Sequence, residues 1–266
     1  MPPDRVSATY PQVIPRPEHW EEAPPPPWTS LEASKRQGLR LDDVIANLQA
    51  RHGSAVPSEV TPLDDAEEVA DGDDELGFVR SSAVLVALFE ESGETRVILT
   101  RRANHLRTHR GQVSFPGGGI DAGEQPVDAA LREADEEVGL DPSLVEVASS
   151  LAPIATFAAG AWIQPVVGIL ARRPSLEAAP SEVDRVFDVA LADLLVDGAA
   201  HRELWYRSPG PGQPEVGFEL WFFEVAGEMV WGATGHLLVD LVTAALELEM
   251  PSLGHRGGRE KRTATE

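Results

Sequence analysis

Residues 117–140 read GGGIDAGEQPVDAALREADEEVGL. Pro126 can open a helix, because a first-turn proline lacks only an N–H that would be unpaired anyway, and Gly139 is a natural C-terminal stop. The spacing between them predicts a helix from about Pro126 to Gly139. At about 100° per residue, Val127, Ala130, Leu131, Ala134 and Val138 fall in one apolar stripe, the face that would pack on a sheet. Beside the stripe, Glu133, Asp135, Glu136 and Glu137 put four acids into five positions. Like charges one turn apart cost a helix a few tenths of a kcal/mol, so the crowding calls for a reason.

Geometry offers one. Glu133, Glu136 and Glu137 share an arc of about 100° next to the stripe, and Glu133 and Glu137 are one turn apart, so both carboxylates reach one point. Oxygen ligands at roughly 2.0–2.1 Å suit a hard divalent cation such as magnesium. A bound cation would turn the repulsion into attraction. Taken alone, the same acids in an acidic chain read as a solvated helix face.

The surrounding residues carry a more specific pattern. Gly118, Glu124, Arg132, Glu133, Ala134, Glu136, Glu137, Gly139 and Leu140 fit G-x5-E-x7-R-E-U-x-E-E-x-G-U, where U is a bulky aliphatic. Ala134 departs from it at the first U position. The stretch resembles the signature box of the Nudix hydrolases, which cleave a nucleoside diphosphate linked to another moiety. That resemblance implies a Nudix-type α/β/α sandwich with a mixed sheet, and Mg²⁺ or Mn²⁺ as cofactor. Glu133 and Glu137 would be the principal metal ligands, with Glu136 as a further ligand or base. A backbone carbonyl of the Gly117–Gly118 turn would be an additional ligand. Arg132 would pair with Glu124 or Glu136 and hold the carboxylates in place.

Immediately upstream, RRANHLRTHRGQVSFPGG (101–118) holds four arginines and two histidines, with no acid from Thr100 to Ile120. In an acidic chain this is a local cationic strip, and guanidinium forks suit phosphate oxygens. Ile98, Leu99, Thr100, Arg102, Ala103, Arg107, Gly111 and Phe115–Gly118 are similar to the pattern L-L-T-x-R-[SA]-x3-R-x3-G-x3-F-P-G-G of the coenzyme A pyrophosphatase branch, with Ile98 in place of the first leucine. Trp231–Thr234 resembles that branch more weakly. The likeness implies substrate contacts at Arg102, Arg107, Gly111 and Phe115, the two arginines meeting the diphosphate or the 3′-phosphate. His105 and His109 read as surface histidines more readily than as ligands, and His236 as structural. Trp162, Trp205 and Trp221 lie on predicted strands, where tryptophan is more often core than a platform for adenine.

The expected reaction is metal-dependent hydrolysis of coenzyme A or its derivatives to 3′,5′-ADP and 4′-phosphopantetheine or its acyl form. Glu136 is the first candidate for the base and Glu182, outside the box, the second. Another nucleoside diphosphate derivative such as ADP-ribose is the alternative substrate. A non-catalytic nucleotide-binding module is a third reading, which the intact set of charged box positions disfavours.

Outward from this centre, SSAVLVALF (81–89) and RVILTR (96–101) read as a strand hairpin joined through EESGET. Further strands are expected over 145–156, 162–171, 201–207 and 218–226, a closing helix over 233–249, and a strand running into a short helix over 181–195. This irregular alternation points to an α/β sandwich with a mixed sheet rather than a doubly wound one. The likeness covers about residues 78–248, so the chain divides into an extension (1–77), a catalytic domain (78–250) and a disordered tail (251–266). The extension is proline-rich over 15–30 and should be extended and poorly packed there. It carries a possible amphipathic helix with Leu41, Val44, Ile45 and Leu48 on one side, then an acidic linker over 61–75. The sequence has no cysteine, which excludes disulfides and thiol chemistry. No apolar run suits a signal peptide or a membrane span, so a cytoplasmic protein is expected. The net charge of −22 disfavours nucleic acid and anionic membranes. A homodimer is possible.

Overall fold

The computed structural model describes Gln12 and residues 14–58, 80–156, 161–208, 213 and 215–251. In chain order it holds β1 (Trp20–Glu22), α1 (Leu41–His52), β2 (Arg80–Glu91), β3 (Glu94–Arg102), β4 (Val113–Ser114) and β5 (Gly117–Gly119). There follow α2 (Pro126–Val138), β6 (Val145–Ser150), β7 (Ile154–Thr156), β8 (Ala161–Leu170), β9 (Val183–Ala190) and α3 (Leu191–Leu194). The last elements are β10 (Ala200–Arg207), β11 (Val216–Val225), β12 (Glu228–Trp231) and α4 (Gly232–Ala245).

The larger sheet runs β4-β3-β2-β8-β6, with β5 and β7 added along β2 and β8 and β9 along β3. β2 and β8 are parallel and the other pairs antiparallel, so the sheet is mixed as expected. The predicted hairpin closes through Ser92 and Gly93, both at positive φ, the conformation that matches the twist of the flanking strands. β2 is apolar along most of its length because both its faces are covered. Ala83, Leu85, Ala87 and Phe89 join Ala129, Ala130, Ala134 and Val138 of α2 in one cluster. Val86 and Leu88 point the other way, toward Val44 and Leu48 of α1 and Leu238, Leu241 and Val242 of α4. Helix, sheet and helix pair form the α/β/α sandwich. Alternation with period two sorts one strand's side chains into its two cores.

A second, antiparallel sheet, β1-β10-β11-β12, flanks this sandwich. Its inner face adds Trp221 and Phe223 to the α1–α4 core. On its other face Trp205, Phe222 and Met229 form a small cluster of their own. Trp162, Trp205 and Trp221 are all buried, as strand tryptophans usually are.

The N-terminal segment corrects an expectation. Residues 15–30 do not lie loosely, and Trp28 and α1 of the extension share a core with residues of the catalytic domain; the expected boundary at 77 lies outside the described residues. Trp28 is 1% exposed and stacks on Trp221 and Phe223, with ring centroids 5.7 and 6.1 Å apart. β1 pairs with β10, and α1 buries Val44, Ile45 and Leu48, the side its periodicity marked. The proline run forgoes ladder hydrogen bonds, yet one buried indole of some 150–250 Å² anchors it. The acidic stretch 61–75, residues 157–160 and those beyond 251 lie outside the described residues.

Candidate active site

α2 begins at Pro126 and ends on Gly139, which adopts the left-handed conformation and returns its N–H to Asp135. The helix lies against the glycine strand β5. β5 runs beside β2, with Gly117 opposite Val84 and Gly118 opposite Ala83. A Cβ on Gly117 would stand 2.4 Å from the Ala83 carbonyl, and one on Gly118 would stand 2.5 Å from the Glu133 carboxylate. The glycines are there because the backbone must pass between a strand and a carboxylate with no room for a side chain.

Glu137 is the innermost acid, 3% exposed. One oxygen accepts the Gly117 N–H at 3.1 Å, and Arg102 Nη1 stands 3.4 Å from the other. Burial pushes this carboxyl up to about 7, against the opposing pull of the Gly117 N–H and Arg102 and with the help of the neighbouring charges of Glu133 and Glu182. Glu133 is mostly buried and Glu136 mostly exposed. Arg132 joins them: Nη1 lies 2.9 Å from Glu133 and 3.3 Å from Glu136, Nε lies 2.9 Å from Glu124, and Nη2 donates to the Gly119 carbonyl. Arg132 therefore meets both acids proposed from the pattern, Glu124 and Glu136. It also holds the Glu124 carboxyl below its ordinary range.

The cationic strip forms the other wall. β3 ends at Arg102. The loop after it returns through Gly111, at positive φ, whose N–H reaches the Arg102 carbonyl at 3.1 Å. The root of the loop is tied to β9: Ala103 N–H donates to the Glu182 carbonyl at 2.8 Å, and Asn104 donates to Asp184 through its backbone and its side chain. His105 Nε2 donates to the Ser181 carbonyl at 3.1 Å, which makes it an anchor of the loop. His109 pairs with Gln112. Arg107 is exposed and forms no ion pair among the described residues.

Phe115 departs from the sequence reading. It is 1% exposed and sits in the α1–α4 core, so it supports the turn before Gly117 and offers no face to a substrate. Thr100, Ala103 and Gly111 are buried as well, and Thr100 bonds Ser114. Most of the upstream pattern thus builds a strand end and its return, and of its residues Arg102 and Arg107 are the cations left at the surface of this wall. One feature had no sequence signal. Residues 177–182 strap the end of α2, Glu177 N–H meeting the Val138 carbonyl and Ala179 N–H the Glu137 carbonyl. Those contacts are made by backbone, which side-chain motifs do not report. The strap also carries Glu182 close enough to Glu137 for their charges to interact.

A NUDIX domain model matches residues 79–208. Over 163 residues the chain is 37% identical to the protein named "Uncharacterized Nudix hydrolase NudL" in Salmonella paratyphi B, covering 61% of this chain and 81% of that one. The chain belongs to the Nudix hydrolase family. The same-named protein of Salmonella newport aligns equally, at 37% identity over 61% of this chain and 81% of its own. Among solved structures, the NUDIX domain of Shewanella oneidensis NrtR complexed with ADP ribose aligns at 21% identity and a TM-score of 0.38, covering 50% of this chain and 87% of that one. Nudix hydrolases generally use divalent metal cations.

The donors of this Nudix site fit such a cation in their chemistry. Glu133, Glu136, Glu137 and the backbone of β5 are hard oxygen ligands. Glu137 in particular is a buried carboxylate whose charge one N–H and one guanidinium at 3.4 Å offset only in part. They are not gathered in advance: among the described residues no three His, Asp or Glu side chains form a cation cage. Arg132 Nη1 takes one oxygen of Glu133 and one of Glu136, which leaves the second oxygen of each carboxylate for a metal. No helix among the described residues is long and apolar enough to cross a membrane.

Proposed function

We propose that this Nudix hydrolase cleaves the phosphoanhydride bond of coenzyme A or its derivatives, giving 3′,5′-ADP and 4′-phosphopantetheine or its acyl form. The observation that carries the reading is the meeting of the two motifs. Arg102, from the pattern of the coenzyme A branch, stands 3.4 Å from Glu137 of the box, so a phosphate-binding cation adjoins the acidic cluster. In this reading Arg102 and Arg107 bind and orient the diphosphate or the 3′-phosphate, and Arg107 is free to do so because no acid among the described residues neutralises it. Glu133 and Glu137 hold the cation, with Glu136 and the Gly117–Gly118 backbone completing the donor set. Bound there, Mg²⁺ or Mn²⁺ supplies Lewis acidity, neutralising diphosphate charge and easing deprotonation of water. Glu136, the most exposed of the three acids, takes the proton of the attacking water, and attack is in line with the leaving oxygen.

The test is incubation with coenzyme A and with ADP-ribose, with and without magnesium, followed by mass spectrometry of the products. Magnesium-dependent formation of 3′,5′-ADP is the expected result. A clear preference for ADP-ribose would overturn the substrate, and binding without product would overturn the enzymatic role.

A further inference from the structure

Arg101 occupies the open position of the pattern that contains Arg102, so the pattern gives it no role. Arg102 reaches toward α2, whereas Arg101 reaches the second sheet, as neighbouring strand side chains point to opposite faces. There Arg101 Nη1 meets Glu228 Oε1 at 2.6 Å. Arg185, directly opposite Arg101 on β9, brings its own Nη1 to the same oxygen at 2.7 Å. Glu228 lies on β12 and is 1% exposed. A buried carboxylate from one sheet thus clasps a cross-strand pair of arginines on the other.

The clasp sits at an irregularity. Register runs from Thr100 opposite Val186 to Arg101 opposite Arg185, and then to Arg102 opposite Val183, which leaves Asp184 as an extra residue. This is a β-bulge, a feature that bends the strand, raises its twist and re-aims the side chain beside it. The extra residue is used: Asp184 accepts both hydrogen bonds from Asn104. The Arg101–Arg185 pair is therefore the last regular rung before the residue that faces Glu137.

As a source of stability the clasp is poor. Glu228 Oε2 and Arg101 Nε are buried and meet no protein hydrogen-bond partner among the described residues, so one oxygen of the carboxylate carries the whole clasp. Buried ion pairs are often no better for stability than packed apolar side chains. What an apolar cluster would lack is direction, since a single oxygen here fixes two guanidiniums across one rung.

We infer that Glu228 is a positioning residue. Through Arg101 and Arg185 it sets the twist of β3 at the bulge, and with it the aim of Arg102 at a substrate phosphate. The inference rests on the phosphate-binding role proposed for Arg102. The contact between Arg102 and Glu137, at 3.4 Å, is too long to hold the side chain by itself, so its aim depends on the strand end. A misplacement of about 1 Å at such a group can cost about 100-fold in rate.

The experiment is a double-mutant cycle on kcat/KM, using coenzyme A or, should the wild type prefer it, ADP-ribose. E228Q is expected to lower kcat/KM about tenfold or more. In an R102A background the same change should cost less than about twofold, because the residue it acts through is gone. R101Q guards against misfolding of the buried variant and should reproduce the loss, and R101K, which keeps the cation, should restore part of it. Crystal structures of E228Q and R101Q read the inference without any substrate: Arg102 should leave Glu137 while α2 and the β2–β3 hairpin stay in place. Additive effects in the cycle, or an unmoved Arg102 in both structures, would overturn the inference. A wild type that hydrolyses neither compound would count against the proposed function, and the structures would then decide the role of Glu228.

Discussion

Glu137→Gln should make the metal-free protein more stable at alkaline pH while removing its metal-dependent turnover. The carboxyl is 3% exposed, and burial lifts it to about 7 from 4.5. The folded value lies above the unfolded one, so at low pH both states hold the proton and stability is unaffected. As pH rises from about 4.5 to about 7, the unfolded chain releases its proton while the folded protein retains it, and stability falls. At 1.36 kcal/mol per pKa unit, the ionised form costs about 3 kcal/mol above pH 7. Glutamine keeps an oxygen for the Gly117 N–H and has no charge to bury. Urea unfolding in EDTA should therefore place Glu137→Gln about 3 kcal/mol above wild type at pH 8 and within about 1 kcal/mol of it at pH 5. Magnesium at pH 8 should stabilise the wild type and leave the variant unchanged. An equal difference at both pH values, or a variant less stable at pH 8, would refute the view of Glu137 as a carboxylate that needs a cation.

Trp28→Ala should destabilise the protein by about 3–5 kcal/mol, because a fully buried indole leaves a cavity against Trp221 and Phe223; chemical denaturation measures this, and a loss below about 1 kcal/mol would mean that the segment is not part of the fold. Gly118→Ala should keep the fold yet lose turnover, since the new methyl meets the Glu133 carboxylate; overpacking of about 1–3 kcal/mol is the expected cost in thermal denaturation, and full activity would contradict the close approach. Burial alone would raise the Asp240 carboxyl, but hydrogen bonds from His52 and the Ala152 N–H, with the charge of Arg51, hold it below its ordinary value. Its contribution is then present above the unfolded value, about 4, and is lost as pH falls through the folded value. Asp240→Asn should cost about 1.5–3 kcal/mol at pH 7, the range for hydrogen bonds to a charged group, and flatten the acid limb of a stability–pH profile. An unchanged acid limb would rule that contribution out.

Much of this site could be read in the sequence because its parts are close together along the chain. Pro126, Gly139 and the apolar stripe are enough to define α2, and a fixed spacing puts Glu133 and Glu137 on one side of it. The sequence marks Gly117 and Gly118 as a turn whose backbone carbonyl would be a metal ligand, but the reason no side chain fits there lies in the neighbouring strand and in Glu133. Other features depend on distant partners. Trp28 is anchored by residues some two hundred positions away, so a proline-rich composition pointed to a loose segment. Phe115 belongs to the same pattern as Arg102, and only its burial separates a supporting role from a binding one. β1, β4, β5 and β12 are two to four residues long, too short to display a period. The stretch 181–195, read as a strand running into a short helix, is β9 followed by α3.

The pairing of β1 with β10 bears on how the chain comes together during synthesis. Arg16 and Glu203 are separated by 187 positions, and the aromatic platform under Trp28 lies on β11. Residues 16–28 leave the ribosome long before their docking surface has been made. Until then the segment lacks its native partners on β10 and β11, and closure of so long a loop slows folding. That interval exposes the segment to proteases and chaperones, and it ends once β10 and β11 have been translated.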